Sequence, residues 1–305
     1  MDPTAFEVLL RLDYGSIMNA CRVIPEYFRV CRMPYFWEQK ALLDFDILPR
    51  DFKKVEARDN KARYEVLNSL VPLNGMRYAA GLGSLELFNY FLEEGKRYIT
   101  IDDYNESLFF AVEGQNENII DRLIGLGVDD YTHALSYAAK VGNERLVDKF
   151  ILLGGDPTYD KALYSAAENG DERIVNKLLA LGNDAYDDGF DGAMESGNER
   201  LINKFLSLGG GDVETGLLRA VNLGKERLVD KFVNLGARNY NEALIEAARN
   251  RNERMVDKMI SLGANNFKEA FNVAAWTWNG HQGIIDKLRN LISVRVSNLR
   301  RSRDY

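Results

Sequence analysis

Few side chains in this chain have the chemistry of a catalytic or metal-binding site. The sequence contains two histidines, His133 and His281, and two cysteines, Cys21 and Cys31. Neither histidine has a partner at the spacing of metal ligands, and the cysteines match no zinc pattern. No phosphate-binding loop or nucleophile elbow occurs either. We therefore expect a protein that is not an enzyme and needs no cofactor or metal ion, with both cysteines as unreactive thiols.

Charged side chains recur at a fixed interval and could bind a polyanion. Each arginine of one column is followed four positions later by a lysine, which places both on the same face of a helix. A glutamate precedes every arginine, so this face is nearly neutral, and exposed ion pairs contribute little to stability. We interpret it as a solvated face and expect no nucleic-acid partner. The columns are Arg145, Arg173, Arg200, Arg227 and Arg254, and Lys149, Lys177, Lys204, Lys231 and Lys258.

These columns belong to an internal repeat, and a repeat determines the fold class. Each unit reads Y-x-x-A-L-x-x-A-A-x-x-G-N-E-R-L-V-D-K-F-x-x-L-G, a length that fits two short helices. The interval is 27 residues, as from Tyr104 to Tyr131, with one step of 28 from Tyr131 to Tyr159. The first residues of the units are Tyr104, Tyr131, Tyr159, Tyr186, Val213, Tyr240 and Phe267.

The pattern inside a unit predicts how its two helices pack. Small residues such as Ala134 and Ala138 share one face of the first helix. The second helix has an N-cap at Asn143, a terminating Gly154 and one apolar side. A single pair cannot cover that side, so each pair must pack on the next. We therefore predict an all-α solenoid of short antiparallel helix pairs.

The run A-A-x-x-G-N-x-x-L-V-x-x-F-x-x-x-G resembles the ankyrin repeat, and the match recurs from about residue 72 to 290. The resemblance implies an ankyrin-like array that binds a protein. The usual T-P-L-H opening is absent, and the loop is about six residues shorter than the 33-residue ankyrin period allows. We expect the β-hairpin fingers to be reduced to tight turns. The matching residues of one unit are Ala138, Ala139, Gly142, Leu146, Val147, Phe150, Ile151, Gly154 and Asp156.

The composition is that of a soluble globular protein. Of the 305 residues, 46% are hydrophobic and 28% are charged, and the formal net charge is −7. An acidic chain of this kind argues against binding to nucleic acid. No apolar run approaches the roughly 18 residues of a membrane span, and the N-terminus lacks the basic region of a signal peptide. With so few cysteines, we expect an intracellular, cytoplasmic protein without a membrane partner.

Residues 1–45 stand outside the repeat. Their pattern from Leu12 to Cys21, from Phe28 to Cys31 and at Phe36 and Trp37 resembles a reduced F-box, of the kind found beside ankyrin repeats in large DNA viruses of amoebae. The resemblance implies a viral protein that acts in a host cell and binds a Skp-type linker of a cullin ubiquitin ligase. The usual Leu-Pro-x-Glu opening survives only in part. Candidate linker contacts are Pro3, Leu9, Leu12, Ile17, Val30, Phe36 and Trp37.

A helical cap that shields the first repeat is the alternative interpretation of this N-terminal segment, because solenoids need capped ends. We therefore divide the chain into four parts. An F-box-like helical module at 1–45 is followed by a connector with a helix at 46–71. An array of about eight units at 72–290 is followed by a basic C-terminal tail at 291–305, which we interpret as a solvated terminus. Contact of that tail with an anionic partner is the alternative.

The positions that vary from unit to unit indicate where a partner would bind. The slots on either side of the alanine pair carry unlike side chains, and in an ankyrin-like stack they would line the concave face. Aromatic and arginine residues are the usual anchors of such interfaces. A monomeric protein–protein interaction adaptor is the leading hypothesis, a scaffold without a ligase role the second, and an enzyme the third. Candidate anchors are Phe110, Tyr137, Arg219, Arg249 and Trp276.

Overall fold

The computed structural model describes residues 3–276 and 282–301, with side chains over 4–276 and 282–294. This part of the chain contains 22 α-helices and no strand. The prediction of an all-α fold built from short antiparallel helix pairs is confirmed. The chain divides into two compact units, Met1–Pro157 and Thr158–Tyr305, and each shows this architecture.

The first unit contains the N-terminal helices and three complete helix pairs. Its helices are α1 (Pro3–Leu10), α2 (Tyr14–Val23), α3 (Pro25–Cys31), α4 (Pro34–Phe45), α5 (Pro49–Phe52), α6 (Asn60–Ser69), α7 (Pro72–Leu82), α8 (Leu85–Gly95), α9 (Ile101–Glu113), α10 (Glu117–Gly125), α11 (Tyr131–Lys140) and α12 (Glu144–Leu152).

The described residues of the second unit form five helix pairs. Its helices are α13 (Asp160–Asn169), α14 (Glu172–Ala180), α15 (Tyr186–Ser196), α16 (Glu199–Leu208), α17 (Val213–Asn222), α18 (Glu226–Leu235), α19 (Tyr240–Arg249), α20 (Glu253–Ser261), α21 (Phe267–Trp276) and α22 (Gln282–Arg301). The backbone of the predicted tail is therefore helical from residue 291 to Arg301. Its arginine side chains from Arg295 onward lie outside the described residues.

Each pair packs internally and on its neighbour. In the first unit α11 packs against α12, and the first helices α7, α9 and α11 pack in succession. In the second unit α13 packs on α15, α17 on α19 and α19 on α21. The second helices contribute their apolar side to this core, as Leu146, Val147 and Phe150 do in α12. Packing of this kind between nearest neighbours is what stabilises a solenoid.

Size complementarity sets the distance between the two helices of a pair. A small residue in the first helix lies opposite a bulky residue sixteen positions later, as Gly189 does with Phe205 and Gly216 with Phe232. A methyl group at either glycine would overlap the phenylalanine ring. Other units use alanine in this slot, for example Ala162 with Leu178 at the facing position, and both are fully buried.

Polar side chains join successive pairs at two places. The first is the residue that caps the second helix. The Asn198 carboxamide accepts hydrogen bonds from the amides of Arg200 and Leu201 at 3.0 and 3.3 Å and donates to the carbonyl of Gly170 at 3.3 Å. In the next unit Lys225 takes this position, and its ammonium donates to the carbonyl of Met194 at 3.0 Å. One side chain thus satisfies the ends of helices in two successive pairs.

The second joint lies in the loop between pairs. The residue after the opening aromatic accepts hydrogen bonds from loop amides of the next unit. Asn105 accepts from Asp129 and Asp130, both at 3.2 Å, and Asn241 accepts from Asn265 at 2.7 Å. These bonds give the backbone amides of the loops their hydrogen-bond acceptors. In the described residues the loops contain no strand, as expected from their short length. The same joint is made by Thr132, Asp187 and Glu214.

An aromatic cluster attaches the N-terminal helices to the connector and to the first helix pair. The Tyr64 ring lies 5.3 Å from Trp37 and 5.4 Å from Phe45, and Phe45 meets Tyr90 of α8 edge to face at 5.6 Å. The hydroxyl of Tyr64 donates to Asp44, and the nearly buried Lys40 pairs with the same carboxylate at 2.6 Å. Burial and the Asp44 carboxylate raise the pKa of Tyr64. Residues 1–45 therefore share a core with α6.

The cysteines correct an expectation drawn from the sequence. Cys21 and Cys31 form a disulfide, with their Cα atoms 6.5 Å apart, so they are not the free thiols expected. The cause is the hairpin of α2 and α3, which brings Cys21 opposite Cys31. Spacing in the sequence could not show this, because pairing depends on the angle between the helices.

Gly189→Ala tests the size complementarity. We expect it to lower the free energy of unfolding by about 1–3 kcal/mol, because the added methyl overpacks the pair against Phe205. Phe205→Leu in the same chain should recover part of this loss by making room for the methyl. Chemical denaturation measures both effects.

The matched control for this experiment is Gly125→Ala in α10, where an added methyl meets nothing within 4 Å. It should be neutral, or stabilising by up to about 1 kcal/mol through helix propensity. Equal effects of the two glycine substitutions would contradict the packing argument.

Candidate protein-binding surfaces

Phe110 lines an apolar groove in the first unit. Its side chain is 44% exposed at the end of α9. The groove has a volume of about 760 Å³, and its apolar wall combines Val66 of α6 and Leu70 just after that helix with Tyr78 and Leu82 of α7. Exposed apolar side chains gathered in a concave surface are typical of a protein-binding site.

Charged groups stand at the rim of this groove. Arg77 of α7 pairs with Asp103 at 3.4 Å and also with Glu106. Backbone hydrogen bonding from Thr100, with a smaller contribution from Arg77, lowers the pKa of the Asp103 carboxyl. Lys54 and Glu56 also line the groove. The rim therefore carries both signs of charge, and the apolar floor is its distinguishing feature.

Tyr137 does not lie free on the surface as the sequence suggested. It is half-buried and stacks on Phe109 of the preceding pair, with ring centroids 5.0 Å apart and an angle of 11° between the planes. Phe109 was not among the expected anchors, because it lies one position before the first of the two slots that flank the alanine pair. The two rings form one aromatic surface that joins α9 to α11.

The candidate anchors of the second unit differ in their freedom to bind. Arg219 lies between the carboxylates of Asp191 and Glu195, at 3.3 and 3.7 Å, and Arg249 pairs with Glu246 of its own helix. Trp276 is 88% exposed at the end of α21. The arginines are therefore already engaged, and Trp276 is the anchor that presents most of its surface.

The N-terminal residues expected to contact a linker are mostly core residues. Five of them are buried, and Leu12 is half-buried. These five side chains contribute to the packing of α1 to α4, because a side chain that is buried in the core cannot also contact a second protein. The side chain of Pro3 lies outside the described residues. The five buried residues are Leu9, Ile17, Val30, Phe36 and Trp37.

Other apolar residues of the same helices are exposed. Val23 is 79% exposed, and Ile24 and Phe28 lie beside it where α2 turns into α3. We call these three residues the α2–α3 corner. A linker protein would meet this corner and not the core beneath it. The linker interaction itself stays a prediction.

The charge columns form ion pairs between successive second helices. Arg254 pairs with Glu226 at 3.1 Å, and Lys258 pairs with Asp230 at 2.7 Å. Arg145 and Glu117 repeat the arrangement at 3.6 Å in the first unit. These positive charges are thus matched by carboxylates one repeat away, whereas Lys204 donates to the Asn176 carboxamide at 2.6 Å.

One carboxyl of the second unit is perturbed by its neighbours. Burial, reinforced by the carboxylates of Asp160, Asp191 and Asp187, raises the pKa of Asp188 above its ordinary value of 3.8. A raised pKa in the folded state means that the charged form of Asp188 destabilises this part of the repeat.

The described residues hold no group of three or more histidine, cysteine or acidic side chains placed to bind a metal ion. His133 contacts the carboxylate of Asp130 through Nδ1 at 2.8 Å. His281 lies outside the described residues. Within the described part, no helix combines the length and the apolar character that crossing a bilayer requires.

Comparison with known proteins adds no assignment, since no family model matches the chain and no curated protein matches it.

Asp188→Asn is expected to stabilise the protein at neutral pH, because it removes a charge that its neighbours disfavour. The gain should be full above the raised pKa of Asp188 and should fade as the pH drops toward 3.8. A melting temperature higher by about 1–2 °C at pH 7 is the expected size, since the side chain is largely solvated.

Thermal unfolding between pH 7 and pH 4 checks this, with Asp184→Asn on the preceding loop as the control. A gain that is equal at all pH values, or equal in the control, would show that carboxylate repulsion is not its cause.

Proposed function

We propose that this protein is a non-enzymatic adaptor for protein–protein interaction. The helix pairs form a frame whose variable positions capture a target protein, and the N-terminal module recruits a Skp-type linker of a cullin ubiquitin ligase. Any ubiquitin chemistry takes place in those partners. The resemblance to ankyrin repeats with an F-box-like segment, drawn from the sequence, suggests a viral protein that works inside a host cell.

The observation that carries the capture of a target is the groove lined by Phe110. Its apolar wall comes from three helices, α6, α7 and α9, so it is held by the same packing that stabilises the repeat. A preformed apolar groove with a charged rim favours a folded or helical segment of a partner, because little ordering is needed on binding. The stacked pair Phe109 and Tyr137 adds a half-buried aromatic surface in the same unit.

The ligase half of the proposal rests on the F-box resemblance and on the α2–α3 corner. Val23, Ile24 and Phe28 expose apolar surface that a monomer of this size has no internal use for. Recruitment through this corner is compatible with the burial of Leu9 and Trp37, since those residues would support the contact surface from below.

A scaffold with a helical cap is the second candidate function. The aromatic cluster of Trp37, Tyr64, Phe45 and Tyr90 favours it, because this cluster packs the N-terminal helices onto the connector and the first pair as a cap would. Under this alternative, the module stabilises the array and the choice of target depends on the repeats alone.

Phe110→Asp tests target capture. Crosslinking in the native cell followed by quantitative mass spectrometry should show a loss of about tenfold or more for proteins captured by the parent chain, because a carboxylate in the apolar groove remains unpaired. Leu152→Asp, at a position 86% exposed on α12, is the matched control and should retain them. Equal retention by both variants would contradict a role for the groove.

Val23→Asp tests linker recruitment without removing the module from its core. The parent chain should bind the Skp-type linker protein in a pull-down, and the variant should lose most of this binding while keeping its melting temperature. Leu152→Asp again serves as the control. Failure of the parent chain to bind the linker would contradict the ligase half and leave the capped scaffold as the function.

A further inference from the structure

The N-terminal helices form an open cavity that borders the α2–α3 corner through Phe28. It lies between α2, α3, α4 and α6 and has a volume of about 580 Å³, within the range of small-molecule sites. Met18, Phe28 and Trp37 give it an apolar surface, together with the Cys21–Cys31 disulfide.

Three cations line the same cavity. They are Arg22 at the end of α2, Arg32 after α3 and Lys61 in the first turn of α6. Within the described part of the chain, no carboxylate lies within 4 Å of the guanidinium group of Arg22 or Arg32. Lys61 forms an ion pair with Glu65 at 3.6 Å. Arg32 lies over the Phe28 ring at 5.4 Å, and Lys61 lies over Trp37 at 5.9 Å. The positive charge therefore stands directly beside the aromatic surface, in a chain whose net charge is −7.

The other polar groups of the cavity are already engaged. The Trp37 indole N–H donates to the carbonyl of Cys31 at 2.7 Å. The Asn60 side chain donates to Pro34 and accepts from Arg63. Asp59 caps α6 by accepting from the amide of Ala62 at 2.8 Å, and it pairs with Arg58 at 3.4 Å. The cavity thus offers unused donors and few unused acceptors, so a ligand that satisfies it must bring acceptors of its own.

From this inventory we infer that the cavity is a binding site for a small organic anion with an aromatic body. The aromatic part would fill the apolar surface of Met18, Phe28 and Trp37, and a carboxylate, sulfonate or phosphate group would meet Arg22 and Arg32. Guanidinium groups suit this role because they donate two parallel hydrogen bonds to a planar or tetrahedral anion and also stack on rings. The site goes beyond the adaptor function and does not depend on it.

A matched pair of fluorescent probes tests the inference on the full chain. The anion 8-anilinonaphthalene-1-sulfonate and the neutral N-phenyl-1-naphthylamine share the same aromatic body. In a chain carrying Trp276→Phe and Trp278→Phe, the remaining Trp37 should transfer excitation energy to the bound anion. We expect the anion to bind at least about tenfold more tightly than the neutral probe, because each charge-assisted hydrogen bond adds to its affinity.

Variants assign this binding to the cavity. The double variant Arg22→Gln with Arg32→Gln should lower the affinity for the anion at least about tenfold and change the affinity for the neutral probe by no more than about twofold. Arg11→Gln with Arg29→Gln, two arginines within residues 1–45 that lie outside the cavity lining, is the matched control with the same change of charge and should change neither. Met18→Trp should lower the affinity for both probes, because the larger side chain fills the cavity. Circular dichroism and the melting temperature show that each variant is folded.

Equal affinity for the two probes, or an unchanged affinity for the anion in the double arginine variant, would overturn the inference. An amidated pentapeptide with one phenylalanine between pairs of glutamates, added as a competitor, separates a small ligand from a segment of a protein. If the pentapeptide displaces the anionic probe at a concentration below the Kd of the probe itself, the assignment to a small molecule is overturned.

Discussion

The contact on which the rest of the structure depends joins a small residue in the first helix of a pair to a bulky one in the second. Gly189 beneath Phe205 and Gly216 beneath Phe232 are the tightest examples, since neither leaves room for a methyl group. The bulky side chains are fully buried, so each such contact combines the burial of a large apolar group with close helix packing. The two residues are sixteen positions apart in each pair, and the contact recurs 27 residues later in the next pair. Every pair therefore adopts a similar geometry, and successive pairs can repeat the same interface.

Polar joints give this apolar stack its register. The Asn198 side chain closes the start of its own helix and reaches the carbonyl of Gly170 in the preceding pair, and Lys225 performs the second task in the next unit. Asn105 and Asn241 hold the loops in the same way. These bonds explain why the units need no β-hairpin between them, since the loop amides already have acceptors. A longer loop would have to find other partners for its backbone.

With packing and register supplied by buried and joint residues, the remaining surface positions are free to vary. Phe110 uses this freedom to present an aromatic side chain in a groove, whereas Arg219 is enclosed by Asp191 and Glu195 and contributes to cohesion instead. In the N-terminal helices, buried and exposed residues likewise have separate roles. Trp37 and Tyr64 form the core, the α2–α3 corner exposes apolar surface, and Arg22 and Arg32 border a cavity. The hydroxyl of Tyr14 donates to Glu65, so α2 and α6 lie in direct contact, and burial together with this carboxylate raises the pKa of Tyr14.

The amino-acid sequence by itself determined the fold class and the limits of the second helix in the repeat. The cap at Asn143 and the terminating Gly154 bracket α12, and the apolar side of Leu146, Val147 and Phe150 is buried as the periodicity predicted. These signals are local, because a helix is specified by residues within a few turns of each other.

Only the tertiary structure decided which of the marked residues are accessible. It buried Leu9, Ile17 and Phe36, stacked Tyr137 on Phe109, and placed three cations around one cavity. It also joined Cys21 to Cys31. The reason is physical: accessibility and pairing depend on the distances and angles between helices that are far apart in the chain, whereas periodicity reports only the face of a single helix on which a residue lies.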